Sequence, residues 1–207
     1  MKTELRPTVW RTVRVLANVF RLRFLRAVFE AKGTKNVSDL AKVMGVSVSA
    51  ASIYLRALNA RGLVNVERKG VNVLYGDGKN RSLPEAQLLQ SAFAMVFAES
   101  KNTEDWAQNQ VAMLSAYSHP LRIKMVAELL HSKPVGFMEL VERVKAPKAT
   151  VYRHVSKLLK AAVLGVDEDG RYVLNAPLDS VESALRRLAA KEGSFGFYKN
   201  RNCVKTF

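Results

Sequence analysis

The residue types best suited to chemistry fall in one short segment: Ser47, Val48, Ser49, Ala50, Ser52, Ile53 and Arg56. On a helix, small hydroxyls and alanines allow close approach to phosphates and base edges. An arginine among them can clamp a phosphate or read guanine with two donors. With a period of 3.6 residues, Ser49, Ile53, Arg56 and Ala60 share one side, opposite Ala51, Leu55 and Leu58. Val48, Ala50 and Ser52 lie near the leading end. Arg68 and Lys69 follow just before Gly70 and add two cations to a tight turn. Further along, Lys148, Ala149, Thr150, Tyr152, Arg153 and Lys157 offer the same chemistry with more charge, around a core side of Val151, Val155 and Leu158. Both sets are suited to non-covalent recognition of a polyanion.

Covalent and metal chemistry find no comparable support. His119, His131 and His154 stand in no recognised ligand spacing with cysteine or carboxylate, and no glycine-rich phosphate loop follows a strand. Cys203 is the single cysteine, so a cysteine metal cage or a disulfide framework within one chain is excluded. The expectation is a chain that is not an enzyme, with no cofactor and no metal site. His119 reads as a helix-start residue, His154 as a packed or capping imidazole, and Trp10 and Trp106 as core or contact residues.

The elements that must position these side chains occur in two copies, about a hundred residues apart. In the first, Leu40 opens an apolar helix stripe, Gly45-Val46-Ser47 breaks it, a second helix carries Leu55 and Leu58, and Gly62-Leu63-Val64 leads to Gly70. In the second, Leu140, Ala146-Pro147, Val155, Leu158, Ala162-Val163-Leu164 and Gly170 keep that order. The spacing predicts helices over Thr8 to Phe20, from Leu22 to Gly33, after a Ser38 cap, and from a Ser47 cap to Arg61. Strands at Val64 to Val66 and Val71 to Tyr75 follow, then a helix from a Ser82 cap to Ala98. Polar Ser100 to Thr103 reads as a linker. Beyond it, helices are expected at Trp106 to Tyr117, Pro120 to Leu130, Phe137 to Val144, Lys148 to Ala161 and Leu178 to Ala190, with a hairpin about Gly170. The expected fold is mainly α with small β-wings: tandem winged helix-turn-helix units with three-helix cores, two-stranded wings and flanking helices. The expected domains are residues 1–100, residues 101–192, and a basic aromatic tail over 193–207, read as an end that packs on the body or stays loose, with a nucleic-acid arm as the alternative.

A net charge of +15 in 207 residues and a pI near 10.1 favour a polyanionic partner. No apolar run approaches the roughly 18 residues of a spanning helix, and Arg11, Arg14, Arg21, Arg23 and Arg26 interrupt the amphiphilic start, which excludes a signal peptide. Those arginines read as solvating two helices, with a backbone-tracking role as the alternative. The expectation is a cytoplasmic chain without a membrane partner. Residues 1–82 hold 16 Lys and Arg against 5 Asp and Glu, and residues 83–207 hold 17 against 13, so the first unit should dominate nonspecific affinity.

Val46-Ser47-Val48-Ser49-Ala50-Ala51-Ser52-Ile53-Tyr54-Leu55-Arg56-Ala57-Leu58, with Arg61-Gly62-Leu63-Val64, resembles the recognition helix of ArsR-type winged-helix repressors. Ser118-His119-Pro120-Leu121-Arg122-Ile123 and Thr150-Val151-Tyr152-Arg153-His154-Val155 carry the resemblance into the second copy, so that it covers nearly the whole chain. It implies a winged-helix fold and DNA binding, but no particular signal. Three departures qualify it. Ser38-Asp39-Leu40-Ala41-Lys42 and Met138-Glu139-Leu140-Val141-Glu142 stand where metal-sensing members place cysteines, which disfavours a metal sensor. Two modules in one chain, each with first and last helices, point to an internal pseudo-dimer, with a homodimer as the alternative. Finally, Glu67-Arg68-Lys69-Gly70 can approach phosphate, whereas Asp167-Glu168-Asp169-Gly170 would be repelled by it.

The leading expectation is a sequence-specific regulator of transcription on double-stranded DNA through both units, acting as a repressor, with activation as the alternative. The alternative is a tandem winged-helix scaffold for chromosome-organising or replication partners, which the acidic second wing favours and the net charge opposes. No small-molecule effector is identified by the sequence.

Overall fold

The computed structural model describes residues 8–31, 33–78, 83–100, 104–130 and 132–194. Helix α1 (Val9–Leu16) is buried along Val9, Val13 and Leu16 and is followed at once by α2 (Val19–Glu30). The single helix expected over Thr8 to Phe20 is thus corrected. Ala17 leaves helical geometry with ψ 55°, and the Asn18 side chain accepts a hydrogen bond from the Arg21 amide at 3.0 Å, which starts α2 and places Phe20 in its first turn.

The short strand β1 (Lys35–Asn36) precedes α3 (Val37–Met44). Asn36, not Ser38, caps this helix, accepting from the Asp39 amide at 2.7 Å. Gly45 ends α3 in the left-handed region with φ 64°. Ser47 caps α4 (Val48–Asn59) as expected, its Oγ accepting from the Ala50 amide at 3.2 Å. The hairpin β2 (Asn65–Lys69) and β3 (Asn72–Gly76) turns at Gly70, with φ 58°. β1 adds to it, giving the antiparallel order β1-β3-β2 with Lys35 opposite Tyr75. Helix α5 (Pro84–Glu99) then runs back to the body, its Gln90 Nε2 donating to the buried carbonyls of Gly62 and Leu63. The proposed cap Ser82 and all of the linker after Ser100 lie outside the described residues.

The remaining elements keep the same order: α6 (Glu104–Ala116), α7 (Pro120–Leu130), α8 (Phe137–Val144), α9 (Lys148–Lys160), β4 (Leu164–Val166), β5 (Tyr172–Leu174) and α10 (Ser180–Ser194). β4 and β5 pair antiparallel about Gly170, and Val135 bridges Tyr172 much as β1 meets β3. Most of the tail expected over 193–207 lies outside the described residues.

The two halves share one hydrophobic core. α1 and α2 pack on α6, α1 also packs on α10, and α5 lies along α10. Polar contacts fix that packing: the Val9 amide donates to Glu192 Oε1 at 2.6 Å, and Ser180 Oγ donates to the Ala92 carbonyl at 3.0 Å. Arg26 overturns its reading as a solvating arginine. It is only 3% exposed, bonds Glu30 and the Phe97 and Ser100 carbonyls, and lies 4.8 Å from the centre of the Trp106 ring. Its guanidinium trades solvent for an aromatic face and fixed acceptors, which is how a buried arginine is tolerated. Glu182 is likewise fully buried, accepting from Tyr117 Oη at 2.9 Å and from Arg186. The desolvated phenol and its carboxylate neighbour push the Tyr117 pKa up.

Candidate nucleic-acid interface

On α4 the helical period divides scaffold from surface. Ala51, Leu55 and Leu58 are fully buried, whereas Ser47, Val48, Ser49, Ile53 and Arg56 are exposed and Ala50 and Ser52 are half-buried. Ile53 stands 61% exposed, a large apolar side chain on the face opposite the core. Arg56 Nε donates to the Ser52 carbonyl at 3.1 Å, and its charge acts on the Tyr75 phenol of β3, opposing the rise that burial causes there. Arg68 and Lys69 are exposed on β2, and Lys69 sits 3.6 Å from the Glu67 carboxylate, which partly neutralises this wing.

The sequence placed Val71 at the start of a strand, but it occupies the hairpin tip and is 99% exposed. A valine beside a turn glycine ordinarily signals the strand, so nothing in the pattern marked it as surface. An apolar tip of this kind can contact a sugar or base edge where a lysine would seek phosphate.

On α9, Lys148, Ala149, Tyr152, Arg153 and Lys157 are exposed and Thr150 is half-buried, over a buried side of Val151, His154, Val155 and Leu158. Tyr152 is 66% exposed and meets Phe137 edge-on at 6.4 Å, which holds the ring beside α8. His119 Nδ1 accepts from the Leu121 amide at 3.1 Å at the start of α7, and His154 lies against Arg122 with 3.0 Å between Nδ1 and Nη1. Since Arg122 can only donate, His154 presents a bare Nδ1 and carries its proton on Nε2. Burial, then the neighbouring His119 and the cations Arg122, Arg153 and Lys157, hold its pKa down at about 4.

The second hairpin satisfies much of its own charge. Asp167 accepts from the Asp169 and Arg171 amides, and Arg171 pairs with both carboxylates. The Arg171 amide, helped by its guanidinium, holds the Asp167 pKa below the usual carboxylate range.

Residues 20–66, which run from α2 through β2's first residues, match the family described as "Bacterial regulatory protein, arsR family". They form an arsR-family helix-turn-helix domain. The chain is also similar to the transcriptional repressor PagR of Bacillus anthracis, with 28% identity over 96 residues, covering 45% of this chain and 94% of that protein. Together these matches support a DNA-binding regulator of transcription. Among solved structures, the chain is similar to human N-acetylserotonin methyltransferase in complex with SAM, at 16% identity and a TM-score of 0.33, covering 73% of this chain and 41% of that one. The expectation of a non-enzymatic chain is not retained. At that TM-score the likeness assigns no methyl-transfer chemistry here. No helix among the described residues is long and apolar enough to cross a membrane.

Proposed function

We propose that this chain represses transcription by occupying duplex DNA with two winged helix-turn-helix modules, paired within one chain through α1, α5, α6 and α10. The observation that carries this reading is α4: a capped helix with a buried leucine side and an exposed serine, alanine and arginine side, inside the segment that matches the arsR family. Such a helix can enter a major groove while its core face stays packed. The repetition of α3, α4 and their hairpin as α8, α9 and theirs supports a second reader, and the packing of α1 on α6 and α5 on α10 supports an internal pseudo-dimer.

Two readers of different sequence, held in one body, should cover two half-sites about one helical turn apart, about 34 Å. Footprinting on DNA selected from a random pool tests this. One chain protecting an asymmetric site of that length is expected. Protection of a single half-site would overturn the two-reader arrangement, and a palindrome bound by two chains would replace the pseudo-dimer by a homodimer. Little duplex affinity at moderate salt would favour the scaffold role that the acidic second hairpin suggests.

A further inference from the structure

Two clefts adjoin along α1, sharing Trp10 and Arg14 as lining residues. One, of about 420 Å³, is lined by Trp10, Arg11, Arg14, Val15, Arg21 and Arg61. The other, of about 390 Å³, adds His119, Arg122, His154 and Lys157. Arg61 follows α4 and Lys157 sits on α9, so the joined trough reaches from the base of one reader helix across α1 to the other.

No carboxylate lines either cleft. Elsewhere the chain pairs its arginines with acids, as in Arg26 with Glu30, Arg143 with Glu139 and Arg186 with Glu182. Among the described residues no such pair neutralises Arg11, Arg14, Arg21, Arg61 or Lys157. Arg21 shows the cost: its Nε is shut off from solvent with no acceptor, and burial lowers its pKa. A buried donor left unmade is expensive, and an anion would satisfy it. Arg122 is buried too, but carbonyl oxygens of Ser115 and Ala116 hold its guanidinium without cancelling its charge. Cations fixed in a concave wall focus positive potential.

We propose that this trough is a phosphate-binding site, filled either by backbone phosphates of a duplex spanning the two readers or by the phosphates of a free ligand. Phosphate oxygens match several guanidinium donors at once, which a single carboxylate does less well. The two imidazoles add a signature. Burial lowers the pKa of each, and the neighbouring cations Arg14, Arg122, Arg153 and Lys157 lower that of His119 further. A bound phosphate opposes those cations and favours imidazolium, so its binding takes up protons and tightens as the pH falls below neutrality.

The duplex arm rests on the proposed function; the free-ligand arm does not. The test compares the full chain with an Arg14→Gln/Arg61→Gln variant, which leaves the α4 and α9 reader faces and both hairpins intact, after thermal melting confirms equal folding. Each is titrated with random-sequence duplex over a range of salt, and calorimetrically with sodium pyrophosphate at two pH values. A backbone site predicts a log–log salt slope shallower by about two in the variant, one per lost phosphate contact, with sequence preference unchanged. A free-ligand site predicts pyrophosphate binding to the wild type, tighter at the lower pH and lost in the variant, with the slope unchanged. If the wild type binds no duplex, the proposed function fails while pyrophosphate still decides the trough. A variant indistinguishable from wild type with both probes overturns the site, as does a wild type that binds neither.

Discussion

The helix pair α3–α4 with its hairpin and the helix pair α8–α9 with its hairpin distribute charge in opposite ways. In the first, α4 carries Arg56 as its one cation and the hairpin supplies Arg68 and Lys69. In the second, α9 carries Lys148, Arg153, Lys157 and Lys160, while the hairpin holds Asp167, Glu168 and Asp169 against Arg171. Beneath these helices the contrast continues. Phe20 stacks on Tyr54 at 5.6 Å in the first half, whereas His119 lies 4.2 Å from His154 in the second, beside a buried arginine. One order of elements therefore holds an aromatic stack beneath α4 and a pair of imidazoles beneath α9.

The strongest way to break the comparison is to remove charge where each half carries it. Replacing Arg56, Arg68 and Lys69 together by alanine should weaken binding to every duplex and reduce the salt slope by about three. Under the proposed function Arg153, exposed on α9, makes a bidentate base contact, and Arg153→Ala should instead cost about 1 to 3 kcal/mol on the preferred site, largely at one position. Electrophoretic competition between selected and scrambled duplexes separates the two effects. Unchanged preference in Arg153→Ala would leave α9 without a reading role and make the first half the only reader.

An effect of similar size should reveal the titratable base of α9. His154 has a folded pKa near 4 against 6.5 unfolded, so the unfolded chain binds the extra proton between those values. The stability that this histidine contributes is complete above pH 6.5 and is lost as the pH falls towards 4. His154→Asn keeps an acceptor for Arg122 and removes the titration. The wild type should therefore lose on the order of 3 kcal/mol more than the variant between pH 7 and 4, read from denaturant midpoints. Equal losses would place the acid sensitivity elsewhere.

Much of this plan was legible because periodicity reports burial. Leu55 and Leu58, like Val155 and Leu158, stand on the core side at helical spacing, and Gly70 and Gly170 mark both hairpin turns. What failed depended on contacts distant in sequence or on competition between neighbours. The break at Ala17 was hidden because Asn18 reads as an ordinary polar helix residue until its side chain is seen capping α2. Arg26 looked solvated because its acceptors, at Phe97 and Ser100, lie over seventy residues away. The cationic trough joins α1 to residues of the second half for the same reason: spacing along one helix cannot show what another helix brings to it.

The smallest expected effect comes from backbone positions where the halves share geometry but not residue type. Gly45 ends α3 at φ 64° and Lys145 ends α8 at φ 53°; Gly62 follows α4 at φ 68° and Ala162 follows α9 at φ 56°. A side chain in this left-handed region costs roughly 1 kcal/mol or more, and glycine avoids that cost. At Gly45 an added Cβ would meet nothing within 4 Å, so Gly45→Ala isolates the backbone penalty and should destabilise by about 1 kcal/mol. Lys145→Gly and Ala162→Gly should each stabilise by about 0.5 to 1 kcal/mol, since relief of strain is partly offset by the freer unfolded chain. For a chain of this size, each should move the melting temperature by about 1 to 4 °C. A loss of stability in Lys145→Gly would show that the lysine side chain holds the α8–α9 turn, and the second half would then be tuned by that contact instead of merely tolerating strain.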